Sequence, residues 1–188
     1  MTASTNEIRG GMKVEVDNEP WLIISNEFVK PGKGNAFNRI RMKNIKSGRV
    51  VEKTYKSGEK LDLADIEENQ MRFLYKEADG AVFMDEKTFD QVTISNDIVG
   101  NIQQWLMEEV IYQVIVYKGE IIEVAPPTFL DMVITETTPG VRGDTSGRVL
   151  KPATTETGAK IQVPIFIDEG EKVKVDTRTG EYASRVND

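Results

Sequence analysis

The chain has 188 residues, with 24 Lys and Arg against 31 Asp and Glu, a net charge of −7, and neither cysteine nor histidine. That composition excludes disulfides, thiolate nucleophiles, Ser-His triads and His or Cys metal sites, so an enzyme would have to work with carboxylates, lysines or hydroxyls. The length holds two or three small domains, and the lack of a long apolar run or of a basic-then-apolar leader predicts a soluble, cytoplasmic protein with no membrane partner.

Short apolar or alternating runs, punctuated by Gly, Asn, Asp or Ser, recur at 12–16, 21–28, 37–42, 50–55, 71–75, 81–84 and 92–94. That is the signature of short antiparallel strands in small barrels or sandwiches. One segment, 97–109, reads as a helix: Ile98, Ile102, Trp105 and Leu106 recur at helical spacing behind Asn96 or Asp97 as N-cap, with Gly100 as a weak point. Strand-like runs resume at 110–117, 121–124, 129–136, 161–167 and 172–175. The predicted fold is all-β.

Between the second and third runs lies Lys30-Pro31-Gly32-Lys33-Gly34-Asn35-Ala36-Phe37. Pro31 fixes its own φ and Gly32 and Gly34 are free to take positive φ, so the run reads as a hairpin tip that projects Lys33 outward. Taken alone, the motif reads sooner as an ordinary surface turn with a solvated lysine.

Charge is unevenly spread. Residues 1–64 carry 12 basic and 8 acidic residues, residues 65–128 carry 4 and 13, and residues 129–188 carry 8 and 10. Between 30 and 60 ten cations meet two carboxylates. The alternation Arg39-Ile40-Arg41-Met42-Lys43 puts cations on one strand face and apolar residues in the core, a surface able to neutralise phosphates without reading bases. The sign change near 64 and the donor-less pair Pro126-Pro127 mark boundaries, giving domains 1–64, 65–128 and 129–188. No clear internal repeat is visible.

Two polar segments follow. Gly143-Asp144-Thr145-Ser146-Gly147-Arg148 is a loop whose groups suit bases or riboses, or an ordinary turn; it lacks the P-loop pattern. Near the C-terminus, Tyr182 can stack on a base and Arg185 can grip a phosphate, or pack and solvate respectively. Adjacent carboxylates such as Glu67-Glu68, Glu108-Glu109 and Asp168-Glu169 diverge on a strand or helix, so no active site and no metal site is expected.

Three ordered segments carry a resemblance. The run from Phe28 to Phe37, then Lys151-Pro152-Ala153 with Gly158, Ile161, Val163-Pro164, Ile167 and Gly170, then Val175-Asp176-Thr177-Arg178-Thr179-Gly180-Glu181-Tyr182 together resemble the bacterial elongation factor P family of translation factors. The resemblance implies an N-terminal SH3-like (KOW-type) barrel and two OB folds in an L-shaped, tRNA-like arrangement. It also implies a monomeric, non-enzymatic factor that binds the 70S ribosome beside P-site peptidyl-tRNA and relieves stalling at consecutive prolines.

Residue by residue, Lys33 matches the modified position that reaches the tRNA acceptor end, with Pro31, Gly32 and Gly34 shaping the tip. In the lysine-type branch a dedicated ligase β-lysylates this residue, in some cases followed by hydroxylation, while other branches use different lysine modifications or none, and Lys33 excludes only the arginine route; no separate cofactor is implied. Gly143, Asp144 and Thr145 match the loop that meets the E-site codon of the mRNA, Tyr182 and Arg185 match positions near the tRNA body, and Arg39 and Arg41 are placed for tRNA or ribosome contact. Two alternatives remain: the family's elongation-factor-P-like paralogue, against which the loop lysine and closing run weigh, and a free-standing OB-fold RNA-binding protein.

Overall fold

A computed structural model describes residues 1–139 and 149–187. Sixteen strands in the described residues form three antiparallel sheets. The first holds β1 (Thr2–Ser4), β2 (Lys13–Val16), β3 (Glu19–Val29), β4 (Phe37–Asn44), β5 (Val50–Lys56) and β6 (Lys60–Leu63), in the order β1-β6-β2-β3-β4-β5. The second holds β7 (Ile66–Lys76), β8 (Gly80–Asp85), β9 (Gln91–Ser95), β10 (Ile111–Tyr117) and β11 (Glu120–Ala125), in the order β11-β10-β7-β8-β9. The third holds β12 (Phe129–Thr137), β13 (Leu150–Thr155), β14 (Lys160–Pro164), β15 (Lys172–Asp176) and β16 (Glu181–Arg185), in the order β14-β13-β12-β15-β16. Counted within each five-stranded sheet, the second and third share one strand order, 3-2-1-4-5, the order of an OB fold. The chain divides into two compact units, Met1–Asn69 with Val114–Glu123 and Gln70–Gln113 with Val124–Asp188.

Alternation builds the first sheet. Along β4, Ile40 and Met42 are fully buried between exposed Arg39, Arg41 and Lys43, and join Ile8, Val14, Trp21 and Ile23 in one core. Each such side chain stabilises the fold by about 1.5–3 kcal/mol relative to exposure. Two tight turns, Asp17-Asn18 and Lys118-Gly119, have both residues at positive φ, the type I′ geometry that matches strand twist. Within the same compact unit the Tyr117 hydroxyl donates to Glu15 at 2.5 Å, and the Lys118 ammonium donates to Asn18 at 2.7 Å. The Glu15 carboxyl is held below its usual range by those Tyr117 and Lys118 hydrogen bonds.

In the second unit Phe73, Phe83 and Tyr112 pack with ring centroids 5.5–6.4 Å apart. The Tyr112 hydroxyl is fully buried, donates to the Trp105 carbonyl at 2.6 Å and accepts from the Met107 amide at 2.9 Å; burial pushes its pKa up to about 12.

The expected helix at 97–109 is shorter and tighter than its spacing predicts. A single α-turn, α1 (Asn96–Val99), with Ser95 at the N-cap, passes into a 3-10 turn over Gly100–Trp105. The buried residues Val99, Ile102 and Trp105 recur every three positions, the 3-10 period, and Gly100 sits where α geometry gives way. Strands β1, β6, β13 and β16 carry too few consecutive apolar residues for the sequence to mark them, and β14 ends at Pro164 instead of running to 167. Pro126 and Pro127 lie outside β11 and β12, as their missing donors require.

Candidate nucleic-acid interface

Strands β3 and β4 form the expected hairpin, paired from Trp21↔Asn44 to Val29↔Phe37. Seven residues, 30–36, close it. Gly32, Lys33, Gly34 and Asn35 are exposed, and the Lys33 ammonium has no hydrogen-bond or ionic partner among the described residues. The two glycines differ. Gly34 has φ +107°, a conformation that side chains resist, and a Cβ there would meet Pro31 Cγ at 3.9 Å; Gly32 is not at positive φ and would place a Cβ in open space. The tight reversal therefore rests on Gly34, and Gly32 keeps the tip thin.

Beneath the tip a polar network holds the hairpin stem. Asn26 donates to the carbonyls of Thr5 at 2.7 Å and Ile8 at 2.9 Å, and Asn38, itself buried, donates to Asn26 Oδ1 at 3.0 Å. The Thr5 hydroxyl in turn donates to the Lys56 carbonyl at 3.2 Å and accepts from the Gly58 amide at 2.9 Å. These groups pin three separated chain segments under the arm that carries Lys33. Sequence reasoning missed them, because nothing local marks an asparagine as the partner of a backbone 18 or 21 residues away.

The ten cations of 30–60 do not share one face. Arg39, Arg41 and Lys43 point outward from β4, but Lys53 stands opposite buried Ile40 on the other side of the sheet, where its ammonium donates a hydrogen bond to Asp17 at 2.9 Å. That bond raises the Lys53 pKa. Arg39 is flanked by Glu27 at 3.6 Å and Glu52 at 3.5 Å, so its charge is partly neutralised. Arg41 has no ion pair among the described residues and is the freer cation. Lys46 lies over the Tyr117 ring at 5.4 Å and Arg49 over the Trp21 ring at 5.7 Å.

In the third sheet Tyr182 opposes Val175 and Arg185 opposes Val173, with a register shift between them. The shift inserts one residue, so two positions three apart share a face where a regular strand would separate them. Tyr182 is half-buried and lines a cleft of about 580 Å³. Arg185 is exposed, and its guanidinium is ion-paired with Glu171. Close by in sequence, the Arg178 guanidinium holds Asp176 down to about 2. Gly143, Asp144 and Thr145 lie outside the described residues. Lys151, which sequence reasoning did not single out as a site, is buried with its ammonium donating to the Thr138 carbonyl. Among the described residues no group of three or more Asp and Glu could hold a metal ion, and no helix is long and apolar enough to cross a membrane.

Strand orders and projecting hairpin define the class: a mostly β protein of three small domains, two of them OB folds. Family models match in three segments: the elongation factor P KOW-like domain over 4–61, the elongation factor P OB domain over 66–124 and the elongation factor P C-terminal domain over 130–185. A protein named elongation factor P 2 from Protochlamydia amoebophila is 65% identical over 185 residues, covering 98% of this chain and 97% of that protein. Another of that name, from Chlamydia caviae, is 60% identical over the same shares. The chain belongs to the elongation factor P family.

Two solved structures share the fold. A protein named eukaryotic translation initiation factor 5A, from Methanococcus jannaschii, is 23% identical at TM-score 0.50, covering 66% of this chain and 95% of that one. A translation initiation factor 5A family protein from Naegleria fowleri is 16% identical at TM-score 0.51, covering 66% and 97%.

Proposed function

We propose that the chain, a translation elongation factor by family, binds the 70S ribosome beside P-site peptidyl-tRNA and speeds peptide-bond formation between consecutive prolines. The observation that carries this reading is Lys33: exposed and unpartnered, at the tip of a hairpin whose flanking residues add no bulk. A cation on a thin, anchored arm enters a crowded RNA cavity and meets phosphate there, where a broad basic face would only coat the surface. Proline is a poor nucleophile and a constrained donor, so holding the acceptor end in place addresses the slow step. That contribution is orientation, not proton transfer.

A ligase extends Lys33 by β-lysylation, with or without hydroxylation, which lengthens the arm and keeps its charge. Arg41, and Arg39 to the extent that Glu27 and Glu52 leave it free, contact tRNA or ribosomal RNA; Tyr182 and Arg185 lie toward the tRNA body. Gly143, Asp144 and Thr145 meet the E-site codon. The working units are 1–64, 65–128 and 129–188, in a cytoplasmic monomer.

Reconstituted translation of a Pro-Pro-Pro template tests the proposal. Protein purified from its own host should raise the rate of tripeptide formation over buffer; equal rates would contradict it.

A further inference from the structure

In OB folds the outer face of the second and third strands, with the loop between the fourth and fifth, is where oligonucleotides lie. In the third sheet those parts are β13, β14 and the turn before β16, and together they line the cleft of about 580 Å³. Pro152 and Gln162 face each other across β13 and β14 and form its floor. Leu150, half-exposed, extends the apolar side, and Tyr182 stands at the wall. Lys160, Gln162 and Glu181 also line it, and none of their side chains has a hydrogen-bond or ionic partner among the described residues. An aromatic ring beside an unengaged amide, carboxylate and cation complements the parts of a nucleotide.

We propose that this cleft holds one unpaired nucleobase of single-stranded RNA, its ring stacked on Tyr182, its edge read by Gln162 and Glu181, and its neighbouring phosphate paired with Lys160. A carboxylate acceptor favours a base with an exocyclic amine, so cytosine is preferred to uracil. An extended peptide fits less well: it binds by pairing its backbone along a strand edge, whereas this cleft opens over the outward face of β13 and β14. The inference rests on the reading of the protein as a factor that works against RNA, and adds Lys160, Gln162 and Glu181 to it.

Fluorescence anisotropy of labelled oligocytidylate and oligouridylate hexamers with the full chain tests it, independently of polyproline rescue. The cytidylate should bind more tightly. Tyr182→Ala should weaken it about tenfold, the loss of one stacked base, while Tyr182→Phe retains affinity. Lys160→Gln should lower the log–log salt slope by about 0.7, the share of one phosphate on a single strand, and Glu181→Gln should bring the two hexamers level. Lys87→Gln, the same charge change on an exposed turn, should leave affinity within about twofold. Should Tyr182→Ala fail to fold, Lys160→Gln and Glu181→Gln decide alone. Absence of binding by either hexamer, an unchanged affinity in folded Tyr182→Ala, or binding of an extended peptide in place of RNA would overturn the proposal, whether or not the protein rescues polyproline synthesis.

Discussion

An arm that delivers a cation must be thin at its end and held to one shape at its base, and single residues around Lys33 divide those tasks. Gly34 sets the reversal through its φ of +107°, whereas Gly32 has open space where a Cβ would stand. Gly34→Ala should therefore cost about 1 kcal/mol or more and Gly32→Ala less than about 0.5 kcal/mol, read as urea midpoints; equal midpoints would show that no strain resides at Gly34. A tryptic digest of protein from its own host should leave the bond after Lys33 uncut, in a peptide of added mass. A cleaved, unmodified peptide would remove the modification from the mechanism. Lys33 was legible in the sequence because Pro-Gly turn chemistry is local. Asn26 and Asn38 were not, since their partners lie far off along the chain.

At the scale of elements, burial follows apolar period wherever a strand has enough residues to display it. The outward Arg39, Arg41 and Lys43 of β4 are read directly from alternation, but the neutralising Glu27 and Glu52 arrive from β3 and β5, a pairing that needs the register. Around α1 and the 3-10 turn, an α-helical and a three-residue period part by only about one position over two turns, and only the packing chooses between them. The carbonyl of Trp105, where that turn ends, accepts a hydrogen bond from the Tyr112 hydroxyl. An unfolded tyrosine ionises near 10 and the buried one at about 12, so the folded state keeps its proton where the unfolded state loses it. The raised pKa contributes stability that is fully present below about pH 10 and is lost as pH rises toward 12. Chemical denaturation from pH 9 to 12 should show that decline in the native protein. In Tyr112→Phe the decline should shrink, on a baseline about 1–3 kcal/mol lower because the Trp105 carbonyl and Met107 amide lose their partner. A variant as alkali-sensitive as the native protein would assign the effect elsewhere.

For the whole molecule, the same strand order occurs twice without a visible sequence repeat. Topology here is carried by where apolar residues alternate and where turns fall, and many sequences satisfy that pattern. Fold class was accordingly open to sequence reasoning, while β13 and β16, which build the cleft around Tyr182, emerged only from the strand pairing. Net charge was the least informative property: a total of −7 conceals both the acidic middle third and the lysine presented, without a partner among the described residues, on its own arm. The proposed function turns on that lysine, and rapid-quench kinetics of Pro-Pro-Pro synthesis with native protein and with Lys33→Ala tests it most directly. Native protein should accelerate the proline template and leave a Phe-Phe-Phe template nearly unchanged, while Lys33→Ala, folded with a stability within about 0.5 kcal/mol of native, should give the rate of buffer. Undiminished acceleration by folded Lys33→Ala would contradict the role assigned to the arm.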